Sequence, residues 1–277
     1  MFCHLHIHSE YSLLESSVKI TSLIDMAKKY GMKSVALTDT ASMHGIIEFY
    51  REACENNIKP LLGAEIMVAK NGVLSSFILI AKNLKGYENL CSITSNSNLN
   101  KNNCSSPIDF SIIKDFCTGI VAISEFGSSE FFCFLQKNNT EEADLRLREW
   151  VNVFGDDFYI EIQRTGSDNS CINGTDWAKR SFKEKIIVEF AAVNNIKIAA
   201  GNNVHYLLKK DYDTYRHMAK LKLMSSKENN LFFNAESSNE NYFKSSVEME
   251  DLFSNLSEAL KNTEEISDKC SLVLELG

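Results

Sequence analysis

The strongest constraint on the fold is a regular alternation between short apolar runs and stretches of helical period. Ser34 to Thr38, Lys59 to Ala69, Phe77 to Ala81, Ile120 to Ile123, Phe158 to Ile162 and Ile196 to Ala200 have strand length and composition. Between them the apolar residues fall on helical faces. Ile20, Leu23, Ile24 and Ala27 do so within 18–30, with Gly31 as a stop. Ile46, Phe49, Tyr50 and Ala53 do so between Gly45 and Glu55. Residues 84–95, 141–154, 177–194 and 210–223 read as further helices, and 96–107 and 225–241 as polar loops. Cys3 to His8 alternates polar and apolar residues and reads as an opening strand. Strand–helix alternation predicts parallel βαβ units with right-handed crossovers. About seven such units suit a closed or nearly closed α/β barrel better than two domains. The expectation is one domain over 1–277, with a helical portion from about 246 (helices at 246–255 and 257–270) and a last strand at Leu272 to Leu276.

Composition removes several functional classes. With 44% hydrophobic residues over 277 positions the chain can build a sizeable core, which excludes a disordered tail. The formal net charge of −8 excludes a protein that grips DNA mainly by its own positive charge. Contact with DNA is expected only indirectly, within something larger. No apolar run approaches the ~18–20 residues of a membrane span. The N-terminus lacks a basic region followed by an apolar core, so the default expectation is cytoplasmic, without a membrane. The eight cysteines are scattered without a CxxC pair and read as small core residues.

Period-two alternation places His4, His6 and His8 on one face of the opening strand. Imidazoles two residues apart can face the same metal ion. Asp39 ends one apolar strand, Glu65 lies within an extended run, and His205 follows another strand. At the C-terminal face of a barrel such residues converge, and a mixed His/Asp/Glu set suits zinc, manganese or iron with a bound hydroxide that attacks phosphate esters. Each acid taken alone reads more readily as a solvated or capping group. His44 and His217 read as ordinary helix histidines, and Arg164 as a structural ion-pair partner. Neither a GxxxxGK[ST] nor a GxGxxG loop occurs.

His6-Ile7-His8-Ser9-Glu10-Tyr11-Ser12-Leu13-Leu14-Glu15 resembles the opening of the PHP (polymerase and histidinol phosphatase) domain of bacterial DNA polymerase III alpha subunits. Ala36-Leu37-Thr38-Asp39, Ile58-Lys59-Pro60-Leu61-Leu62-Gly63-Ala64-Glu65, Tyr159-Ile160-Glu161-Ile162-Gln163-Arg164-Thr165-Gly166 and Asn202-Asn203-Val204-His205-Tyr206 continue the likeness in order, over nearly the whole chain. The resemblance implies a distorted seven-stranded βα (TIM-like) barrel of the PHP fold, at the N-terminus of a replicative polymerase. It also implies a multi-ion metal cluster in members that retain it.

Carried over position by position, His6, His8, Asp39, Glu65 and His205 stand at metal-ligand positions. Thr40, Ser76, Phe126 and Asn203 stand where the family has histidine, histidine, cysteine or histidine, and aspartate. Losing one supporting partner of a metal ligand costs roughly 10–100-fold in affinity or activity, and an asparagine does not offset a divalent charge as an aspartate does. The expectation is therefore a reduced site. It either binds no metal or holds one zinc or manganese through part of His6, His8, Glu65 and His205. Magnesium would serve a polymerase domain beyond Gly277. The resemblance further implies that the fragment is itself inactive in nucleotidyl transfer and braces the rest of the alpha chain. It implies docking of the proofreading exonuclease subunit, with replisome and sliding clamp reached through the parent. The alternatives are a free-standing metal-dependent phosphoesterase of the histidinol-phosphatase kind, and a residual 3′–5′ exonuclease or pyrophosphatase.

Overall fold

The computed structural model describes residues 2–99, 106–125, 127–164, 174–225 and 239–276. The helices are α1 (Ile20–Lys29), α2 (Ile46–Glu55), α3 (Leu84–Leu99), α4 (Phe110–Asp115), α5 (Glu130–Leu135), α6 (Thr140–Phe154), α7 (Gly174–Val193), α8 (Tyr212–Ser225), α9 (Ser246–Leu252) and α10 (Ser257–Lys269). The strands are β1 (Ser34–Leu37), β2 (Lys59–Lys70), β3 (Val73–Ala81), β4 (Ile108–Asp109), β5 (Ile120–Ser124), β6 (Phe158–Gln163) and β7 (Lys197–Gly201). They form one sheet in the order β1-β2-β3-β5-β6-β7, with the short β4 beside β2.

The sheet is mixed, which corrects the expectation of parallel units throughout. β2 and β3 form an antiparallel hairpin closed by the pair Lys70 and Val73. Its turn residues, Asn71 and Gly72, both have positive φ, 50° and 76°. Such a two-residue turn matches strand twist and favours Asn-Gly. β3 then pairs antiparallel with β5, whereas β1–β2, β5–β6 and β6–β7 are parallel. The predicted final strand is also corrected. Residues 271–276 form no strand; the Ser271 and Leu274 amides donate to the Lys82 carbonyl and the Tyr50 hydroxyl. The expected 225–241 loop lies largely outside the described residues, as do residues 100–105 of the expected 96–107 loop, whose start at 96–99 is instead the end of α3.

The opening segment bridges the two ends of the sheet. The Ala36 and Thr38 amides donate to the His4 and Ile7 carbonyls on one side. On the other, Ile7 pairs in parallel with Val204, just after β7. Regular parallel pairing would step two residues on each strand. Here two residues of β1's chain face three of the opening segment, so one residue is extra. That is a bulge, which is why no continuous strand forms at 3–8. The unpaired Ile7 amide donates to the Thr38 hydroxyl at 3.0 Å.

Two layers of core follow. Inside the curled sheet, Cys3, Leu5, Ala36, Leu61, Ile78, Ile80, Val121, Ile123, Tyr159 and Ala199 meet Ile266 and Cys270 at the end of α10. Outside it, helices α1 and α2 bury Leu23, Ile24, Phe49 and Ala53 against Val35, Leu37 and Ile7. α10 closes the end of the sheet remote from the histidines. Asn262 donates to the Ile198 carbonyl, Thr263 accepts from the Cys3 amide, and Glu265 meets Tyr159 and Lys197. This leaves the other end open for a site.

Candidate metal centre

The bulge decides which histidines meet. Leu5 points into the sheet interior and His4 away from it. His4 donates from Nε2 to the Lys244 carbonyl at 2.9 Å and packs on Phe243. The extra residue resets the alternation, so His6 and His8 both turn inward while Ile7 faces α1 and α2. The expected common face for His4, His6 and His8 is therefore corrected to His6 and His8 alone. Their Nε2 atoms lie 3.2 Å apart. The Glu65 carboxylate, from the middle of β2, stands 3.6 Å from His8 Nε2. Among the described residues, His6, His8 and Glu65 form the group of three whose ligand atoms all lie within 4.8 Å of one another.

Asp39 and His205 are near but differently engaged. Asp39 accepts hydrogen bonds from the Ser9 amide at 2.6 Å, the Ser9 hydroxyl at 2.7 Å and the Ser12 hydroxyl at 2.6 Å. Burial nonetheless raises its pKa, against the pull of those donors. Asp39 thus anchors the turn of residues 9–12. The His205 ring stacks on His8, centroids 4.5 Å apart and 5° from parallel, and its Nδ1 donates to the Glu15 carbonyl. Two of the departing positions also bond carboxylates of the pocket. Thr40 bonds the carboxylate of Glu15 and reaches Glu65 at 3.4 Å, and Ser76 donates to Glu65 at 2.6 Å. Asn203 sits at positive φ, 48°, with its side chain against His8. Phe126 lies outside the described residues.

Glu161, which the sequence reading singled out only within a family segment, is the main partner of His6. It comes from β6, is 2% exposed, and accepts from His6 Nδ1 at 3.1 Å. Gly201 makes the room. A Cβ there would lie 1.9 Å from the Glu161 carboxylate. Gln163 donates to Glu161 at 2.7 Å. Period-two alternation along β6 was the available signal, since Tyr159, Glu161 and Gln163 share one side. Glu125 at the end of β5 joins this acidic group. Burial and the Glu65 and Glu161 charges raise its pKa to about 7.

The protonation pattern follows from these contacts. Burial pulls His6 down, but the Glu161 carboxylate outweighs it, and the pKa rises to about 9. His8 is held well below its ordinary value by burial and by the positive charge of His6. Burial and the charges of His8 and His6 do the same to His205. The self-consistent state is a His6 imidazolium donating to Glu161 and to the neutral His8 Nε2. A divalent ion fits where that second proton sits. Two nitrogens at about 2.0–2.1 Å from a tetrahedral zinc lie roughly 3.3 Å apart, close to the 3.2 Å here. Glu161 would then orient His6 through its other nitrogen, as carboxylates commonly do for histidine ligands.

Two minor expectations resolve on the same map. Arg164 pairs with Glu184 and donates to the Leu252 carbonyl. His217 lies on α8, but His44 precedes α2 in a turn, bonded to the Ser42 hydroxyl, rather than in a helix.

The PHP domain family model matches residues 4–165. The chain belongs to the PHP domain family. It is 34% identical to DNA polymerase III subunit alpha of Helicobacter pylori (strain ATCC 700392 / 26695), over 99% of this chain and 23% of that protein. It is 34% identical to DNA polymerase III subunit alpha of Borreliella burgdorferi, over 97% of this chain and 24% of that one. The PHP chain thus spans about a quarter of the length of these relatives. A crystal structure described as a metal-dependent phosphoesterase from Bifidobacterium adolescentis superposes with a TM-score of 0.51 at 14% identity, covering 73% of this chain and 87% of that one. This supports the PHP fold, a distorted TIM-like α/β barrel. Among the described residues no helix is long and apolar enough to cross a membrane.

Proposed function

We propose that residues 1–277 form one PHP domain of a replicative DNA polymerase III alpha subunit, and that it acts as a bracing and docking module. The observation that carries this reading is coverage. The polymerase relatives match 97–99% of the chain, including the portion after residue 165 that the PHP family model does not reach. The partners are then the rest of the alpha chain and the proofreading exonuclease subunit, with replisome, clamp and DNA reached through the parent. Magnesium-dependent nucleotidyl transfer belongs to a polymerase domain outside these residues.

The pocket supports a reduced metal site. Three donors converge, Asp39 is occupied by Ser9 and Ser12, and threonine, serine and asparagine stand at three further positions. His6, His8 and Glu65 suit a single zinc or manganese, which would supply Lewis acidity at that point. The chain's own residues hold and orient the ligand nitrogens and restrict water. Among the described residues three such donors converge within 4.8 Å, fewer than a multi-ion phosphoesterase needs, which disfavours the free-standing phosphoesterase and the residual exonuclease.

The test is a paired assay on the purified chain. We expect capture of the exonuclease subunit at micromolar concentration, and hydrolysis of bis(p-nitrophenyl) phosphate with added manganese or zinc at the no-protein rate. Robust metal-dependent turnover together with no capture would reverse the reading.

A further inference from the structure

The pocket carries a cation supplied by the protein itself. Lys222, on the last turn of α8, forms an ion pair with the carboxylate of Glu15. Glu15 is bonded to Thr40 through its other oxygen, and Thr40 in turn reaches Glu65 at 3.4 Å and His8 Nδ1 at 3.4 Å. The two charged side chains are shielded, with 24% and 13% exposure. The segment bearing Glu15 is fastened over the same spot. The Ser16 hydroxyl donates to the His8 carbonyl at 2.7 Å and the His205 carbonyl at 3.0 Å, and the Ser17 amide to the His205 carbonyl at 3.0 Å.

We infer that Lys222 substitutes for a metal ion at the Thr40 end of the pocket, neutralising Glu15 and opposing cation entry at His6, His8 and Glu65. The physical reason is charge. Glu15, Glu65 and Glu161 crowd the pocket, and a cation must offset them. At Thr40 the chain has no imidazole to bring an ion, and it brings an ammonium instead, through Glu15. Like charges sharing one poorly solvated pocket disfavour each other, and more so when one is divalent. Lys222 is a positioning residue: it acts on the ligands through Glu15 and Thr40.

This inference rests on the reading of the pocket as reduced, and the experiment separates the two. Manganese alone is titrated into the full chain and followed by the electron paramagnetic resonance of the free ion, for native protein, Lys222→Met, Lys222→Gln and Lys222→Arg. Thermal unfolding without metal is run in parallel. Lys222→Met and Lys222→Gln are expected to bind manganese at least about tenfold more tightly than native protein, with Lys222→Arg close to native. His6→Ala added to either neutral variant should remove the gain, which locates the ion. A purely structural lysine would lower the unfolding temperature and leave the manganese affinity of folded protein unchanged; that result overturns the inference. Should one neutral variant fail to fold, the other carries the comparison, and if neither folds while Lys222→Arg does, Lys222 is a stability residue and the inference falls. Two or more tight manganese ions on native protein would instead overturn the reduced-site reading itself.

Discussion

The Thr38 hydroxyl satisfies the Ile7 amide that the bulge leaves unpaired, and a buried amide without a partner costs about 1–3 kcal/mol. Thr38→Val, close in shape, is expected to lower unfolding free energy by roughly that amount in urea, with Thr38→Ser near native. Gly201→Ala would drive a methyl into Glu161. The Glu161 carboxylate must then move off His6, so the His6 pKa should fall from about 9, read by NMR titration of the ring. His4 shows the opposite environment. Burial outweighs its bond to the Lys244 carbonyl and lowers its pKa to about 4, from an ordinary 6.5. A group depressed on folding contributes stability that is complete above pH 6.5 and lost as pH falls toward 4. The His4 ring should therefore remain neutral in the folded protein down to about pH 4. Titration of that resonance near 6.5 would contradict its buried placement.

At the scale of elements, boundaries were legible where one force dominated. The apolar faces of α1 and α2 are visible in their spacing, and the structure buries those same residues, Leu23, Ile24, Phe49 and Ala53 among them. What was not legible depended on partners. The opening segment has the alternation of a strand, but its bulge is set by pairing with β1 and Val204, which no local pattern encodes. The β2–β3 hairpin is different, because the local pair Asn71-Gly72 announces it. Both residues are left-handed there, and Gly72 tolerates that conformation without a Cβ penalty. Gly72→Val is expected to cost about 1–2 kcal/mol, the price of a left-handed β-branched residue, measured by thermal or urea unfolding. No loss would mean the turn tolerates another conformation. His6 and His8 were found from spacing alone, whereas Glu161 and Lys222 reach the pocket from β6 and α8 through tertiary packing.

At the scale of the whole molecule, the sheet separates two ends with different chemistry. α10 and its Glu265, Lys197 and Lys269 contacts seal one, while His6, His8, Glu65 and Glu161 gather at the other. A net charge of −8 supports the proposed module, one that works through neighbours rather than by holding DNA itself. The proposal that reaches furthest is that this pocket accepts at most a single ion. Elemental mass spectrometry of the purified chain, after saturation with zinc or manganese and gel filtration, tests it directly. No more than one ion per chain is expected, abolished by His6→Ala. Two or three ions per chain that survive gel filtration would contradict it.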